Sequence, residues 1–105
     1  LDDWTPTRTC EALVREARGA GADVGITVYR NALHSFDSVG LPVRFLSDVD
    51  NAATCIPRLA SMRGPVLNLP EIQGCLRKGA TVGWNPEATE AARKNVWAQL
   101  AESLK

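Results

Sequence analysis

The sequence has no excess of charge of either sign, and this absence argues against several classes of partner. Lys and Arg together number 12, Asp and Glu together number 12, and the formal net charge is zero. No run of five or more basic residues occurs. A neutral chain exerts no long-range field on phosphate backbones or on anionic lipid headgroups. The composition therefore predicts neither nucleic acid nor a membrane surface as a partner.

Long hydrophobic runs and metal-binding motifs are missing as well. No apolar stretch approaches the roughly 20 residues that cross a bilayer, and no segment has the basic-then-apolar pattern of a signal peptide. The three cysteines, Cys10, Cys55 and Cys75, lack the Cys-x-x-Cys spacing of zinc and redox motifs. We therefore expect no membrane span and no zinc site, and we expect one disulfide with one cysteine left over.

What is present begins with an amphipathic helix. Apolar residues recur at helical spacing from Cys10 to Ala17, with charged residues on the other faces. Pro6 stands where such a helix would begin, and Gly19 and Gly21 provide an inexpensive C-cap. We predict a helix between these limits, with Cys10 as a small buried residue of its apolar face.

A strand is predicted directly after this helix. Val24, Ile26 and Val28 alternate with small or polar residues, and β-branched side chains dominate the segment. A helix, a short glycine-rich turn and a strand form half of a βαβ unit. The pattern predicts an α/β fold with parallel strands covered by helices, in one domain that spans residues 1–105.

The remainder divides into an irregular excursion and a final helix. Prolines and glycines interrupt residues 39–82, too long a stretch for an ordinary connection. A bridge between Cys55 and Cys75 would close a loop of about 20 residues and stabilise the chain by roughly 3 kcal/mol. Asn85 is a typical N-cap with Pro86 at N1, and the apolar stripe that follows is expected to cover the sheet.

Two polar residues are candidates for chemistry. His34 is the only histidine and lies in a loop just beyond the predicted strand, where sites form in open α/β sheets. If Asp2 ends a neighbouring parallel strand, its carboxylate reaches the same edge. A carboxylate that accepts a hydrogen bond from an imidazole fixes the tautomer of the ring and stabilises the imidazolium. A lone histidine in such a place is also commonly a surface or capping residue.

Three blocks of sequence make the chain resemble the dienelactone hydrolase family of α/β-hydrolases. Asp-Asp-Trp-Thr-Pro at residues 2–6, with its following helix, resembles the turn that bears the family's acid. Tyr-Arg-Asn-Ala-Leu-His-Ser-Phe-Asp at residues 29–37 resembles its histidine loop, and residues 79–88 resemble the lead-in to its final helix. The resemblance implies Asp2 as triad acid, with Asp3 the less favoured neighbour, and His34 as general base. Trp4 becomes a candidate for the substrate pocket.

One part of that family's pattern is missing. No Gly-x-Ser-x-Gly elbow, nor its cysteine version, occurs in the sequence. The resemblance therefore implies the C-terminal portion of an α/β-hydrolase, inactive alone, whose partner is the missing N-terminal part of the same fold. The parent enzyme is expected to hydrolyse small esters or lactones without metal or organic cofactor. A Cys55–Cys75 bridge favours a periplasmic or secreted setting.

Two alternatives remain open. The chain is also compatible with a non-catalytic α/β interaction module that has lost the chemistry. A different α/β-hydrolase, such as a peptidase or a thioesterase, would show the same acid and base. The identity of the nucleophile and the substrate are not readable from these residues.

Overall fold

The computed structural model describes residues 1–56 and 73–105, which form two helices and two strands separated by irregular segments. In chain order these are α1 (Thr7–Gly19), β1 (Arg44–Asn51), β2 (Arg77–Val82) and α2 (Pro86–Ser103). Of the excursion predicted over residues 39–82, the part from 57 to 72 lies outside the described residues, and the rest contains both strands. No helix among the described residues combines the length and apolar character of a membrane span.

Helix α1 has the limits that its glycines and proline predict. It starts immediately after Pro6 and ends at Gly19. Gly21 adopts a left-handed backbone with φ of 88°. Two reverse hydrogen bonds close the end, from the Ala22 N–H to the Ala17 carbonyl at 2.9 Å and from the Gly21 N–H to the Arg18 carbonyl at 3.0 Å. This is the Schellman arrangement, which favours glycine because it requires a positive φ.

Strands β1 and β2 pair antiparallel with an irregularity in the middle. Leu46 lies opposite Ala80, but further along Asp50 lies opposite Lys78. Three residues of β1 therefore face the single residue Gly79 of β2. Such an irregularity bends the strand and increases its twist. Gly79 accommodates it with φ of 98°.

The predicted fold class, the C-terminal part of an α/β-hydrolase with parallel strands, is wrong. The sheet formed by the described residues has two strands, and they are antiparallel. Residues 24–28, predicted as a parallel strand, belong to no sheet. Alternating β-branched residues favour an extended backbone, but pairing also requires a neighbour with free backbone groups. The parallel contact in this part of the chain is an isolated bridge between His34 and Val82.

The prediction that the apolar helix faces cover a sheet is also wrong. Helix α1 has no buried residue, and Cys10, expected to be buried, is exposed. On α2 only Ala88 is buried, whereas Trp97 is 68% exposed. Helical periodicity shows which side chains share a face and not whether a partner covers that face. Large apolar side chains consequently remain at the surface of the described structure.

Helix α2 is attached through its first turn to the loop that carries His34. The Asn85 side chain caps the helix by accepting from the Ala88 N–H at 3.0 Å, as its position predicted. Its amide also donates to the Asn31 carbonyl at 3.1 Å, and its backbone N–H donates to the Phe36 carbonyl at 2.9 Å. The helix therefore holds the loop on both sides of His34.

Cys55 and Cys75 form a disulfide that joins the chain after β1 to the chain before β2. Their sulfur atoms are 2.06 Å apart, and the two residues are separated by 20 positions. Both are buried, and the Thr54 hydroxyl donates to the Cys75 carbonyl. The bridge therefore closes the connection between β1 and β2 close to the paired strands.

Replacing Gly79 by Ala should destabilise the protein by about 1–3 kcal/mol, the usual free energy of forcing a residue with a Cβ into a disfavoured φ. The Phe45 ring lies against this position, but it is exposed and can turn aside, so the positive φ of Gly79 accounts for the effect. Urea unfolding measures the change. Gly19→Ala is the matched control, since nothing lies within 4 Å of its added methyl group. Equal midpoints for the two variants would contradict the proposed backbone strain.

Candidate functional site

Asp2 lies in a tight turn whose backbone it holds with its own carboxylate. Oδ1 accepts hydrogen bonds from the Trp4 N–H at 2.9 Å and from the Thr5 N–H at 2.8 Å. The Thr5 hydroxyl donates to Oδ2 at 2.7 Å. This is the Asx-type turn that Asp favours ahead of a helix. Because three donors fix the carboxylate, its orientation does not depend on any ligand.

His34 is presented by a loop with two unusual backbone positions. Asn31 has φ of 62° and Ser35 has φ of 61°. Asparagine tolerates the left-handed region well, but serine does so at an energetic cost of order 1–3 kcal/mol. Such strain persists only where the surroundings enforce it. Here the Gly83 N–H donates to the His34 carbonyl at 3.1 Å, so β2 fixes the chain beside the turn.

The structure brings Asp2 and His34 together although they are 32 residues apart. His34 Nδ1 lies 3.1 Å from Asp2 Oδ2, and it lies 3.3 Å from the Thr5 hydroxyl. An ionised carboxylate only accepts hydrogen bonds, so Nδ1 carries the proton in this pair. In the neutral ring the lone pair is therefore on Nε2. Among the described residues, none forms a hydrogen bond with Nε2.

Exposure and charge suit the pair for proton transfer. The side chains of His34 and Asp2 are 32% and 21% exposed, respectively. Burial raises the pKa of the Asp2 carboxyl, but hydrogen bonds from Thr5, Trp4 and His34 oppose it and leave the pKa below its ordinary value of 3.8. Asp2 therefore stays ionised near neutrality, as the acid of such a pair must.

Asp3 turns away from His34 and binds the sheet instead. Its Oδ1 accepts from the Thr81 N–H, and its Oδ2 accepts from the Thr81 hydroxyl, each at 2.8 Å. The buried Asn51 amide donates to the Asp3 carbonyl at 2.9 Å and to the Gly79 carbonyl at 2.8 Å. Asp2 therefore binds the imidazole of His34, whereas Asp3 attaches the turn to β2.

Trp4 lies beside the imidazole. The two ring centroids are 4.7 Å apart and the ring planes are inclined by 47°. The indole Nε1 donates to the Asp50 carbonyl at 3.0 Å, which fixes the orientation of the ring. Trp4 therefore limits the room on one side of His34, and its contact with substrate remains a prediction.

Two cavities lie near these residues. One of about 170 Å³ reaches Asp2 and is walled by residues such as Val28, Leu33 and Phe36. A larger one of about 520 Å³ lies between α1 and the segment ending at Ile56, and neither Asp2 nor His34 lines it. The smaller cavity is therefore bounded by Asp2, whereas His34 does not line it. Within residues 1–56 and 73–105, no three His, Cys, Asp or Glu side chains are arranged to hold a metal ion.

Several residues of the site are not indicated by the sequence reasoning. Asp2, His34 and Trp4 were expected to be neighbours, and the structure places them together; Cys55 and Cys75 also pair. Sequence reasoning missed four partners of this cluster: Thr5, Asn51, Thr81 and Gly83. Thr5 alone had a local signal, because Asp-x-x-Thr before a helix is a typical turn and capping pattern.

Replacing Asp2 by Asn should make the free energy of unfolding depend less steeply on pH in the acidic range. A lowered pKa means that Asp2 stabilises the fold above its unfolded pKa, near 3.8, and that this contribution is lost as pH falls through the lower folded pKa. Removing one titrating group changes the slope by at most about 1.4 kcal/mol per pH unit. Urea unfolding between pH 2 and pH 7 (about the range in which carboxyls titrate) measures the slope.

Asp48→Asn is the matched control for this prediction. Asp48 is exposed on β1, and its carboxylate forms no hydrogen bond with any residue that the structure describes. Its replacement therefore makes the same chemical change without removing a side-chain hydrogen bond to a described residue. Parallel stability curves for Asp2→Asn and wild type would contradict the role of the four hydrogen bonds at Asp2.

Comparison with known proteins identified no relative of this chain. A scan against protein-family models found no matching family. Searches of curated proteins and of solved structures found no significant match. The functional interpretation therefore depends on the geometry around Asp2 and His34.

Proposed function

We propose that Asp2 and His34 are the acid and the general base of a hydrolase that cleaves carboxylic esters or lactones. The observation that carries this proposal is the 3.1 Å contact between Asp2 Oδ2 and His34 Nδ1. It leaves Nε2 without a hydrogen-bond partner among the described residues, on a side chain that is partly open to solvent. An oriented imidazole with its second nitrogen available is the arrangement that acyl-transfer enzymes use.

The proposed chemistry proceeds in two steps, acylation and deacylation, and in each step His34 takes one proton and returns one, in the second step from water to the nucleophile. His34 Nε2 takes the proton of a hydroxyl or thiol nucleophile as that group attacks the substrate carbonyl, and returns the proton to the leaving alcohol. It then activates a water molecule that releases the acid. Asp2 stays ionised throughout and stabilises the imidazolium formed in each step. In a lactone the leaving alcohol stays attached to the acyl group, so ring opening gives a hydroxy acid.

The nucleophile in this proposal comes from a polypeptide segment other than these 105 residues. The sequence contains no nucleophile elbow, and the three cysteines do not supply one. Two cysteines are joined in a disulfide, and Cys10 lies exposed on α1. The same segment would provide the donors that stabilise the oxyanion. The partner in this proposal is therefore the polypeptide segment that carries the nucleophile and the oxyanion donors.

A non-catalytic interaction module is the second candidate, and one observation favours it. Large apolar side chains are exposed on several elements, including Phe45 at 63% and Trp97 at 68%. Exposed apolar surface of this kind indicates contact with another protein surface. Such a module would need neither the Asp2–His34 contact nor the available Nε2. Loss of hydrolysis without loss of binding in variants of the pair would exclude this alternative.

The test is hydrolysis of phenyl acetate and of a simple aryl lactone by the gene product that contains this chain. Wild type and His34→Ala are compared with a peptide amide and a thioester as additional substrates. Ester and lactone cleavage that depends on His34 supports the proposal. Cleavage of only the amide or only the thioester would replace it by a peptidase or a thioesterase. No His34-dependent cleavage would favour the interaction module.

A further inference from the structure

The segment Thr81–Gly83 contacts Asp3, the neighbour of Asp2, at one end and His34 itself at the other. Thr81 binds the carboxylate of Asp3, the residue next to Asp2, with its N–H and its hydroxyl. Two positions further on, the Gly83 N–H holds the His34 carbonyl at 3.1 Å. One short segment, the end of β2 with Gly83, therefore links the turn that bears Asp2 to the loop that bears His34.

The acid-bearing turn has few other attachments to the sheet. Asn51 donates to the Asp3 carbonyl, and the Trp4 indole donates to the Asp50 carbonyl. Both of these bonds reach β1 rather than β2. The Asp3 carboxylate is therefore the side chain that connects the turn directly to the strand beside His34.

We infer that Asp3 is a positioning residue, which acts through Thr81 to hold Asp2 at hydrogen-bond distance from His34. Two parallel hydrogen bonds to one residue restrict rotation of the turn in a way that a single bond does not. Asp3 forms its carboxylate hydrogen bonds with Thr81 and none with His34, so its effect on the imidazole passes through Asp2. The inference rests on the proposed function for its catalytic meaning, whereas the geometric claim can be tested alone.

Substitutions at Asp3 and Thr81 distinguish the effect of the two hydrogen bonds from the effect of the negative charge. In Asp3→Asn the amide oxygen can accept from the Thr81 N–H, and the amide nitrogen can donate to the Thr81 hydroxyl, which is both donor and acceptor. Both contacts survive without the negative charge. Asp3→Ala removes both contacts. Thr81→Val removes only the hydroxyl contact, and Thr81→Ser keeps it.

The single histidine makes the measurement direct. Nitrogen-15 NMR of the protein reports the ratio of Nδ1–H to Nε2–H tautomers of one imidazole, that of His34. In wild type we expect the Nδ1–H form to predominate. Asp3→Ala should lower the ratio by about tenfold, the equilibrium equivalent of one hydrogen bond to a charged acceptor. Asp3→Asn and Thr81→Ser should stay close to wild type, and Thr81→Val should lie between.

Asp48→Ala is the matched control, because it removes an exposed aspartate of β1 that makes no carboxylate contact with a described residue. Circular dichroism establishes that each variant is folded, and Thr81→Val carries the test if Asp3→Ala unfolds. An unchanged ratio in Asp3→Ala and Thr81→Val would overturn the inference. So would a ratio in Asp3→Asn as low as in Asp3→Ala, because charge rather than positioning would then be responsible.

Hydrolysis measured on the same variants distinguishes the inference from the proposed function. A lower kcat in Asp3→Ala, restored in Asp3→Asn, supports positioning of a working acid and base. A tautomer shift in a protein whose wild type hydrolyses nothing supports the positioning role and contradicts the proposed function. Hydrolysis that depends on His34, with no tautomer shift in Asp3→Ala, supports the function and contradicts the role of Asp3.

Discussion

Hydrolysis of phenyl acetate by the gene product that contains this chain should fall by about 10⁴-fold or more when His34 is replaced by Ala, the scale on which removal of a triad base acts. The physical reason is the loss of the base that takes the nucleophile's proton in the proposed mechanism. Asp2→Asn should reduce the rate to a similar extent, because an amide can donate to Nδ1 and thereby favour the wrong tautomer. Steady-state kcat and KM measure both effects, and the loss should appear in kcat.

Two controls separate a catalytic role from a structural one. Asp48→Asn makes the same chemical change as Asp2→Asn on an exposed residue of β1 and should leave kcat unchanged. Added imidazole should restore part of the activity of His34→Ala, because the free base can occupy the space that the side chain leaves. Activity within a few-fold of wild type in His34→Ala would remove His34 from the mechanism, and with it the proposed triad.

The second large effect concerns the Cys55–Cys75 disulfide. Replacing both cysteines by Ser should lower the free energy of unfolding by about 3 kcal/mol, because the unfolded chain regains the freedom of a loop of about 20 residues. The described residues bury few large apolar side chains, and five of the six buried apolar residues are alanine or a cysteine of this bridge: Ala32, Ala80, Ala88, Cys55 and Cys75. A chain with so small a core depends strongly on a covalent link.

Urea unfolding with and without reductant gives the measurement. Wild type should lose about the same stability on reduction as it loses on mutation, and the double variant should not respond to reductant. Cys10→Ser is the matched control, since Cys10 is exposed and lies outside the bridge. Labelling of all three cysteines by alkylation without reductant would contradict the disulfide. A midpoint insensitive to reductant would contradict its contribution to stability.

Local signals predicted the limits of the helices well. Pro6 and Gly21 mark the ends of α1, and Asn85 with Pro86 marks the start of α2, as the structure shows. These features act within one turn of the chain, so neighbouring residues contain all the information. The contact of Asp2 with His34 was predicted from a shared edge of a parallel sheet and from resemblance to a family, and the described residues form no such parallel sheet. The structure shows the contact, and the catalytic roles remain predictions.

Pairing between distant segments was not predictable in the same way. The alternation at residues 24–28 predicted a parallel strand, but alternation does not identify a neighbour. The link between Asp3 and Thr81 spans 78 positions, and that between Asn51 and Asp3 spans 48. Neither has a local pattern, because an aspartate in a turn and a threonine in a strand are ordinary in those places. Such contacts are found only when the fold is known.

The position of the disulfide has a consequence for how this protein can change. The disulfide joins the chain just after β1 to the chain just before β2, and the described groups that bind Asp2, Asp3 and His34 lie outside the loop that it closes. We therefore expect the length of the segment between Cys55 and Cys75 to be open to change without loss of these contacts. Lengthening a closed loop adds little to the free energy of closing it, because the entropic cost of closure grows only logarithmically with loop length. A variant with a longer segment there should thus keep Asp2 and His34 at hydrogen-bond distance.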